Sequence, residues 1–475
     1  MNPRLRALWS AYVFCLLALV RPASAEDAPG KPPVDPEKVR LKPKDGVIFG
    51  PGVAIDLAKQ LKAAGGVQVS LTADADGSSA LRIVFPAAEG KQSVSLKPVA
   101  GRWDLRDAFE VRVKLKNAGK TPLIPRVQVI SNSGPTDLVA AATALAPGAE
   151  EELVVQFGPA KRWKGLPVKG IEKRFLCVSP GETGQEGAGT KFSNDTVGAI
   201  QISAQHDGEA MLSVQSIKTA APVAEPPDWL GKRPPVDGEW LQTFDDEFDG
   251  TEIDQSKWNV YGPNFWDQKS HWSKDNVIVG GGVAKLRYEK KTGFQNDDPN
   301  QKPTDYAGGF LAKERQTGYA SGFLETYGKW AQRYGYFEAR MKLPTAPGLW
   351  RCFWMLPHRA AAEGDPWWKR GSTGEGGMEF DIMEHLTRWG PQRYNIAMHW
   401  DGYQKEHKAT GSVYNYVQPD KEGFITCGLL WTPGSAIYFC NGKEVLRWED
   451  PRVASVPEEI MFYAAHGRLG QQRPG

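Results

Sequence analysis

The sequence predicts an all-β protein built from two antiparallel β domains. Short apolar segments of alternating pattern, separated by Gly, Pro and Asn, recur along the chain, and no segment sustains the 3.6-residue period of an amphipathic helix. The 475 residues include 51 Gly and 17 Trp. Chains rich in turns and aromatic residues are typical of β proteins that line a binding surface.

The first 25 residues have the pattern of a secretory signal peptide. Arg4 and Arg6 precede an apolar run over 7–20, and Ala23-Ser24-Ala25 offers small residues for cleavage. The run is shorter than the roughly 20 residues that a membrane span needs. We therefore expect a secreted or periplasmic protein that makes no membrane contact after cleavage.

Composition divides the rest of the chain into four segments. Residues 26–45 are rich in Pro, Lys and Asp and predict a disordered lead-in, and the five prolines of 220–239 predict an interdomain linker. Between them, 46–219 carries six or more strand patterns and predicts an antiparallel β-sandwich. Residues 240–475 hold 13 of the 17 Trp and predict a second, chemically richer β domain.

The charge balance argues against a nucleic-acid partner. Lys and Arg number 58 and Asp and Glu 56, which gives a formal net charge of +2. We expect a monomer with no cofactor.

The richest chemistry lies in the segment Gly377-Met378-Glu379-Phe380-Asp381-Ile382-Met383-Glu384. Glu379 and Asp381 are two residues apart, so on a strand they share a face, whereas regular pleating puts Glu384 on the opposite face. A β-bulge at Ile382-Met383 restores the parity and brings all three carboxylates to one surface. A glycosidase uses such a set as a nucleophile, an acid and a neighbour that separates their pKa values.

Blocks of sequence around this segment carry a family resemblance. They are, in order, 244–250 (FDDEFDG), 319–322 (YASG), 334–344 (YGYFEARMKLP), 348–350 (GLW), 353–357 (FWMLP) and 429–433 (LLWTP). With them, residues 240–465 resemble glycoside hydrolase family 16, secreted endo-glycanases with a concave jelly-roll fold. We expect the last strand of that family to be missing from this chain. The first domain is similar to the jelly-roll modules that precede such catalytic domains, and its few aromatic residues favour a spacer or weak binder over a strong sugar binder.

The resemblance implies roles for the three acids. Glu379 becomes the nucleophile of a retaining double displacement, Glu384 the general acid/base, and Asp381 the residue between them that tunes the nucleophile. Family members often bind calcium on the convex face, where Glu247 could contribute, but we predict no metal site.

Aromatic residues near the acids are candidates for stacking on sugar rings. We expect Trp350, Trp354, Trp389 and Trp400 in the cleft, and Trp367-Trp368 at its rim. Phe353 and Trp354 cannot both face the cleft, because adjacent strand residues point to opposite sides. His399 either faces the substrate or is satisfied by a neighbouring backbone group.

The substrate is expected to be a polysaccharide, and the first choice is a β-1,3 or mixed-linkage β-glucan, because Asp381-Ile382-Met383-Glu384 is more like laminarinases. A red-algal galactan is the alternative, since basic residues that follow the acids could meet sulfate esters: Arg388, Arg393, Lys405, His407 and Lys408. A third reading, from another class, is a catalytically impaired polysaccharide-binding protein.

Cys427 and Cys440 are predicted to form a disulfide. If Pro433-Gly434 is a two-residue turn, Thr432 faces Ser435 and the two cysteines stand directly opposite each other. An oxidising compartment favours the bond over two buried free thiols.

Overall fold

The computed structural model describes residues 38–73, 79–158, 163–167, 175–178, 192–262, 269–294, 316–359, 372–410 and 413–466. Nearly all regular structure in these ranges is β, which confirms the predicted fold class. The predicted signal peptide lies outside the described residues, and none of the helices within them is long and apolar enough to cross a membrane. The end of the predicted lead-in is ordered, since it contains the short strand Arg40–Leu41.

The first domain is a sandwich of two sheets. Its eight-stranded sheet contains Arg40–Leu41, Leu61–Ala64, Ser93–Leu96, Arg102–Trp103, Leu123–Ser131, Gly134–Pro135, Val139–Ala140 and Val197–His206. Its six-stranded sheet contains Val47–Phe49, Gln68–Ala73, Ser79–Phe85, Glu110–Asn117, Glu150–Gln156 and Ala210–Ala220. A single helical turn, Leu57–Gln60, is capped by the Asp56 carboxylate.

Strand alternation explains how this sandwich packs. In Glu110–Asn117, Val111, Val113 and Leu115 are fully buried in one core with residues of both sheets. The described aromatic rings of this domain are buried as well: Phe49, Phe85, Trp103, Phe109, Phe157 and Phe192. Charged pairs such as Lys114–Glu150 occupy an outer face instead. The described residues of 46–158 and 192–219 therefore offer no exposed aromatic platform for a sugar ring.

The second domain is also a sandwich. We call the seven-stranded sheet that carries the acids the inner sheet; it contains Phe323–Glu325, Leu349–Pro357, Glu379–Leu386, Arg393–Trp400, Lys408–Ala409, Val413–Tyr416 and Glu458–His466. The outer sheet contains Gly335–Lys342, Phe424–Thr432, Ser435–Cys440 and Lys443–Glu449, and the hairpin Trp163–Pro167 and Phe175–Val178 from the first domain extends it. Smaller sheets join Ser270–Trp272, Tyr288–Phe294 and Gln316–Ser321, and Val277–Val279 with Ala284–Leu286.

The hairpin at the centre of the outer sheet has the predicted register. Thr432 pairs with Ser435 and Cys427 with Cys440, and Gly434 takes the left-handed backbone (φ +72°) that the two-residue turn requires. The predicted disulfide is wrong, however, because both cysteines are buried free thiols. The register brings the two backbones together but does not fix the side-chain rotamers, and the two thiols contact each other and the Tyr394 hydroxyl in the core without a bond between them.

The predicted linker is an ordered strap on the second domain. Residues 221–239 contain no strand, yet Ala224 donates a backbone hydrogen bond to Pro419 (2.9 Å). Val236 packs on the outside of the outer sheet against Leu430, Ile437 and Phe439. A backbone hydrogen bond and the packing of Val236 hold this segment against the second domain, although its Pro-rich composition is that of an interdomain linker.

Tyr416 joins the two sandwiches. It ends an edge strand of the inner sheet, and its hydroxyl donates to the Phe192 carbonyl (2.8 Å) and accepts from the Asn194 amide (3.2 Å). Its ring packs edge-on against Phe157, with ring centroids 5.7 Å apart. A second contact lies nearby, where the Arg106 guanidinium donates to the Arg388 carbonyl (2.8 Å).

We expect Tyr416 to couple the stabilities of the two domains. Tyr416→Ala removes both the ring packing and the hydrogen bonds and should lower the free energy of unfolding by about 3 kcal/mol. Tyr416→Phe keeps the ring and should cost about 1 kcal/mol. Chemical denaturation followed by Trp fluorescence measures both values. Equal stabilities for the two variants and the wild type would show that this contact does not hold the domains together.

Candidate active site

The acid strand, Glu379–Leu386, contains the predicted β-bulge. Asp381 pairs with Ala397 and Glu384 with Asn395, so Ile382 and Met383 together oppose one residue of the neighbouring strand. The register with the strand on the other side also shifts here. Ile382 and Met383 are both buried in the core between the sheets. The apolar pair therefore turns inward, and Glu379, Asp381 and Glu384 all lie on the opposite, concave face of the inner sheet.

Partners in register share a face, which identifies the other concave side chains. Trp354 pairs with Asp381 and Cys352 with Glu384, and Trp350 lies two residues before Cys352. Trp350 and Trp354 each pack edge-on against Tyr463 of the next strand. As predicted, Phe353 faces away from them into the core. Trp354 is nearly fully buried, whereas Trp350 is partly exposed and lies beside Glu384.

Trp400 is not in the cleft, so that prediction is wrong. Its neighbour His399 pairs with Glu379 and takes the concave face, and adjacent strand residues point to opposite sides. Trp400 is buried in the core between the sheets near Trp448.

Trp389 lies beyond the end of the acid strand, in a short 3-10 turn, Thr387–Trp389. The guanidinium of Arg393 stacks over its ring, 4.8 Å from the centroid. Trp367 and Trp368 lie outside the described residues.

The basic residues proposed to meet sulfate do not form one cluster. Arg388 lies before the eight-residue strand Arg393–Trp400 and Arg393 begins it, whereas Lys405, His407 and Lys408 follow it. About 23 Å of strand therefore separates the two groups. Arg393 is buried and stacks on Tyr414, and Lys408 is paired with Asp401 (2.9 Å).

Two residues of the loop after that strand complete the site, and the sequence analysis gave neither a place beside the acids. The Tyr403 hydroxyl donates a hydrogen bond to Oε2 of Glu379. Nε2 of His407 lies 2.9 Å from Nδ1 of His399, and Nε2 of His399 lies 3.4 Å from Oδ2 of Asp381. The signal that could have found them is Asp401-Gly402, a turn-forming pair directly after the strand.

His399 carries a proton on each ring nitrogen. Burial opposes its charge, but the hydrogen bond to Asp381 and the nearby carboxylates raise the pKa of His399 to about 9. Burial and the charge of His399 lower the pKa of His407, which stays neutral and accepts a hydrogen bond. The pair therefore places a fixed positive charge beside Asp381 and Glu379.

The two glutamates differ in how firmly they hold a proton. Burial and the charge of Asp381 raise the pKa of Glu379 to about 8, while His399 and the Tyr403 hydroxyl oppose the rise. Burial, with the charges of Asp381 and Glu379, raises the pKa of Glu384 well above its usual range. Glu379 is therefore the first of the two to ionise, and Glu384 keeps its proton. This order suits a nucleophile at Glu379 and an acid at Glu384.

Glu379, Asp381 and His399 also offer donor atoms that lie within 4.8 Å of one another, as in a divalent-metal site. A metal ligand must be a neutral imidazole, however, and His399 is hydrogen-bonded through both nitrogens and has a raised pKa. Both ring nitrogens of His399 are therefore already engaged, and binding of a metal ion would break one of these contacts.

Comparison with known proteins finds a family similarity in the second domain. Residues 266–466 match the family model described as Glycosyl hydrolases family 16. The Endo-1,3-1,4-beta-glycanase EglC of Rhizobium meliloti is 25% identical over 48% of this chain and 46% of its own length. The Beta-glucanase of Rhodothermus marinus is 27% identical over 45% of this chain and 67% of its own length. The chain spans about half the length of the first curated relatives it matches.

Solved structures of similar proteins include the catalytic domain of an endo-1,3-beta-glucanase (laminarinase) from Thermotoga petrophila. It is 21% identical to this chain, covers 48% of it and 88% of its own length, and superposes with a TM-score of 0.37.

Glu379 is expected to make stability depend on pH. Its pKa in the folded protein, about 8, exceeds the ordinary value of 4.5. Folding is thus favoured most below pH 4.5, and that contribution is lost as the pH rises to 8. Glu379→Gln removes this titration, so its Tm should fall less than the wild-type Tm between pH 5 and 8, by a few degrees.

The matched control is Glu406→Gln, which removes an exposed acid from the nearby loop. The Tm values of the wild type, Glu379→Gln and Glu406→Gln are measured by thermal scans at several pH values between 5 and 8. A Glu379→Gln curve parallel to those of the wild type and the control would show that Glu379 titrates normally.

Proposed function

We propose, from the match of residues 266–466 to the family model of glycosyl hydrolases family 16, that this domain is an endo-acting hydrolase that cleaves a β-1,3 or mixed-linkage β-glucan with retention. The observation that carries the proposal is the bulged acid strand, which places Glu379, Asp381 and Glu384 on one concave face. The names of the relatives, an endo-1,3-1,4-beta-glycanase and a beta-glucanase, support the choice of glucan.

The chemistry follows from the order of ionisation. An oxygen of ionised Glu379 attacks the anomeric carbon, the glycosidic C–O bond breaks, and the leaving oxygen takes the proton of Glu384. Glu384, now ionised, removes a proton from water, whose oxygen attacks the same carbon and releases Glu379. Asp381, between them, is held by His399.

A sulfated galactan is less well supported as the substrate. Recognition of sulfate esters calls for several cations around one sugar, and the basic residues considered for this role lie at opposite ends of a strand. Arg393 and Lys408 are already engaged by aromatic and acidic neighbours.

We also propose that the protein is exported and that the first sandwich is a spacer or weak binder. The basic and apolar N-terminal segment supports secretion or a periplasmic location. The aromatic rings of the first sandwich are buried and its outer face is charged, which favours a spacer or weak binder over a strong sugar binder.

Hydrolysis is tested by reducing-sugar release from laminarin, lichenan, agar, porphyran and carrageenan. We expect release from laminarin or lichenan, and Glu379→Gln and Glu384→Gln should each lower it by about 10³-fold or more. Early products should be β-anomers by NMR, because two displacements restore the configuration.

The control variant Glu406→Gln, which neutralises an exposed acid in the same domain, should keep wild-type activity. Early α-product would contradict retention. Release from a galactan alone would replace the glucan assignment, and sugar binding without any release would favour an impaired binding protein.

A further inference from the structure

We propose that Tyr403 is a positioning residue for the nucleophile: its hydroxyl holds one oxygen of Glu379 by a hydrogen bond and favours the ionised carboxylate. The inference rests on the proposed function for its catalytic consequence. Its structural basis is the contact between the Tyr403 hydroxyl and Oε2 of Glu379.

The loop that carries Tyr403 is held in place without help from Glu379. Asp401 and Gly402 both have left-handed backbones (φ +60° and +78°), which turn the chain back after the strand. Thr373 fixes this turn, since its carbonyl accepts from the Asp401 amide (3.0 Å) and its hydroxyl from the Gly402 amide (2.9 Å). The position of Tyr403 is therefore set by the backbone.

The Asp401 side chain provides a second anchor. Its carboxylate binds the Arg452 guanidinium (2.8 Å) and the Lys408 ammonium (2.9 Å). Arg452 also donates to the carbonyls of Thr373 (2.9 Å) and Gly377 (2.8 Å), two residues before Glu379. The loop and the start of the acid strand are thus tied to the same guanidinium, which keeps the hydroxyl and the carboxylate in a fixed relation.

Few of the groups around Glu379 can stabilise its negative charge. Those that face it from the surrounding strands and loop are Asp381, Glu384, Cys352, His399, Glu458 and Tyr403. Burial raises the pKa of Glu384, Glu458 and the Cys352 thiol, so these groups are neutral, and Asp381 repels the charge. His399 and Tyr403 are left to favour ionised Glu379.

Tyr403 is suited to this role because it remains a donor. Burial and the adjacent Glu379 raise the pKa of Tyr403 well above its usual range, so the hydroxyl keeps its proton. A donor to a carboxylate favours the charged form and lowers its pKa. The residue as a whole is 40% exposed, whereas its hydroxyl is buried against Glu379, so the side chain reaches from the surface down to the nucleophile.

The test is the pH dependence of kcat/KM on the glucan that the wild type hydrolyses best, whose acid limb reports the ionisation of the nucleophile. Tyr403→Phe keeps the ring and loses the donor. Its acid limb should move up by about one pH unit, and kcat should fall roughly 10-fold below that limb. Gln404→Ala, an exposed neighbour on the same loop, should leave the limb unmoved. An unmoved limb in Tyr403→Phe overturns the proposal.

Two further measurements keep the proposal separate from the hydrolase assignment and from loss of folding. Replacing Tyr403 by 3-fluorotyrosine, a stronger donor, should shift the acid limb to lower pH, and a shift in the other direction would contradict the role. The carboxyl ¹³C signal of Glu379, assigned by its loss in Glu379→Gln, reports the same titration without substrate. If its midpoint rises in Tyr403→Phe while the wild type hydrolyses no glucan, the contact stands and the proposed function fails; an unchanged midpoint overturns the contact itself.

Discussion

One bulge in one strand determines the chemistry of this protein. Without the extra residue at Ile382-Met383, Glu384 would point into the core, and an unpaired buried carboxylate would cost several kcal/mol. The apolar pair fixes the bulge because both side chains gain burial between the sheets. Hydrophobic packing on one side of the strand thus pushes three acids together on the other side.

Three carboxylates that lie close together repel one another, and the other residues of the site must offset this repulsion. His399 supplies a positive charge, and His407 keeps that charge in place by accepting a hydrogen bond from the second N–H of His399. The acid strand supplies the three carboxylates. The loop after the neighbouring strand supplies Tyr403 and His407, which give the carboxylates different surroundings. The two glutamates are only five residues apart on one strand, but their surroundings give them different affinities for a proton.

The sequence predicted those features of the site and of the outer sheet that depend only on strand alternation and turn length. The shared face of the acids, the bulge and the Cys427–Cys440 register all follow from strand alternation and a two-residue turn. The same alternation excludes Trp400 from the cleft once His399 is placed there. Tyr403 could not be placed in this way, because Thr373 and Arg452, which anchor its loop, are distant in sequence. The free thiols likewise depend on rotamers that no spacing encodes.

The strap over 221–239 changes how this protein can meet a solid polymer. With a flexible linker, the first sandwich could bind a fibre while the second domain moved independently and reached any site within the length of the linker. Here the strap lies on the outer sheet, and Tyr416 joins the two sandwiches at another point. If the proposed function holds, the two domains approach a polysaccharide surface as a single body. The part of that surface within reach of the three acids is then set by the orientation of the whole molecule rather than by the length of a linker.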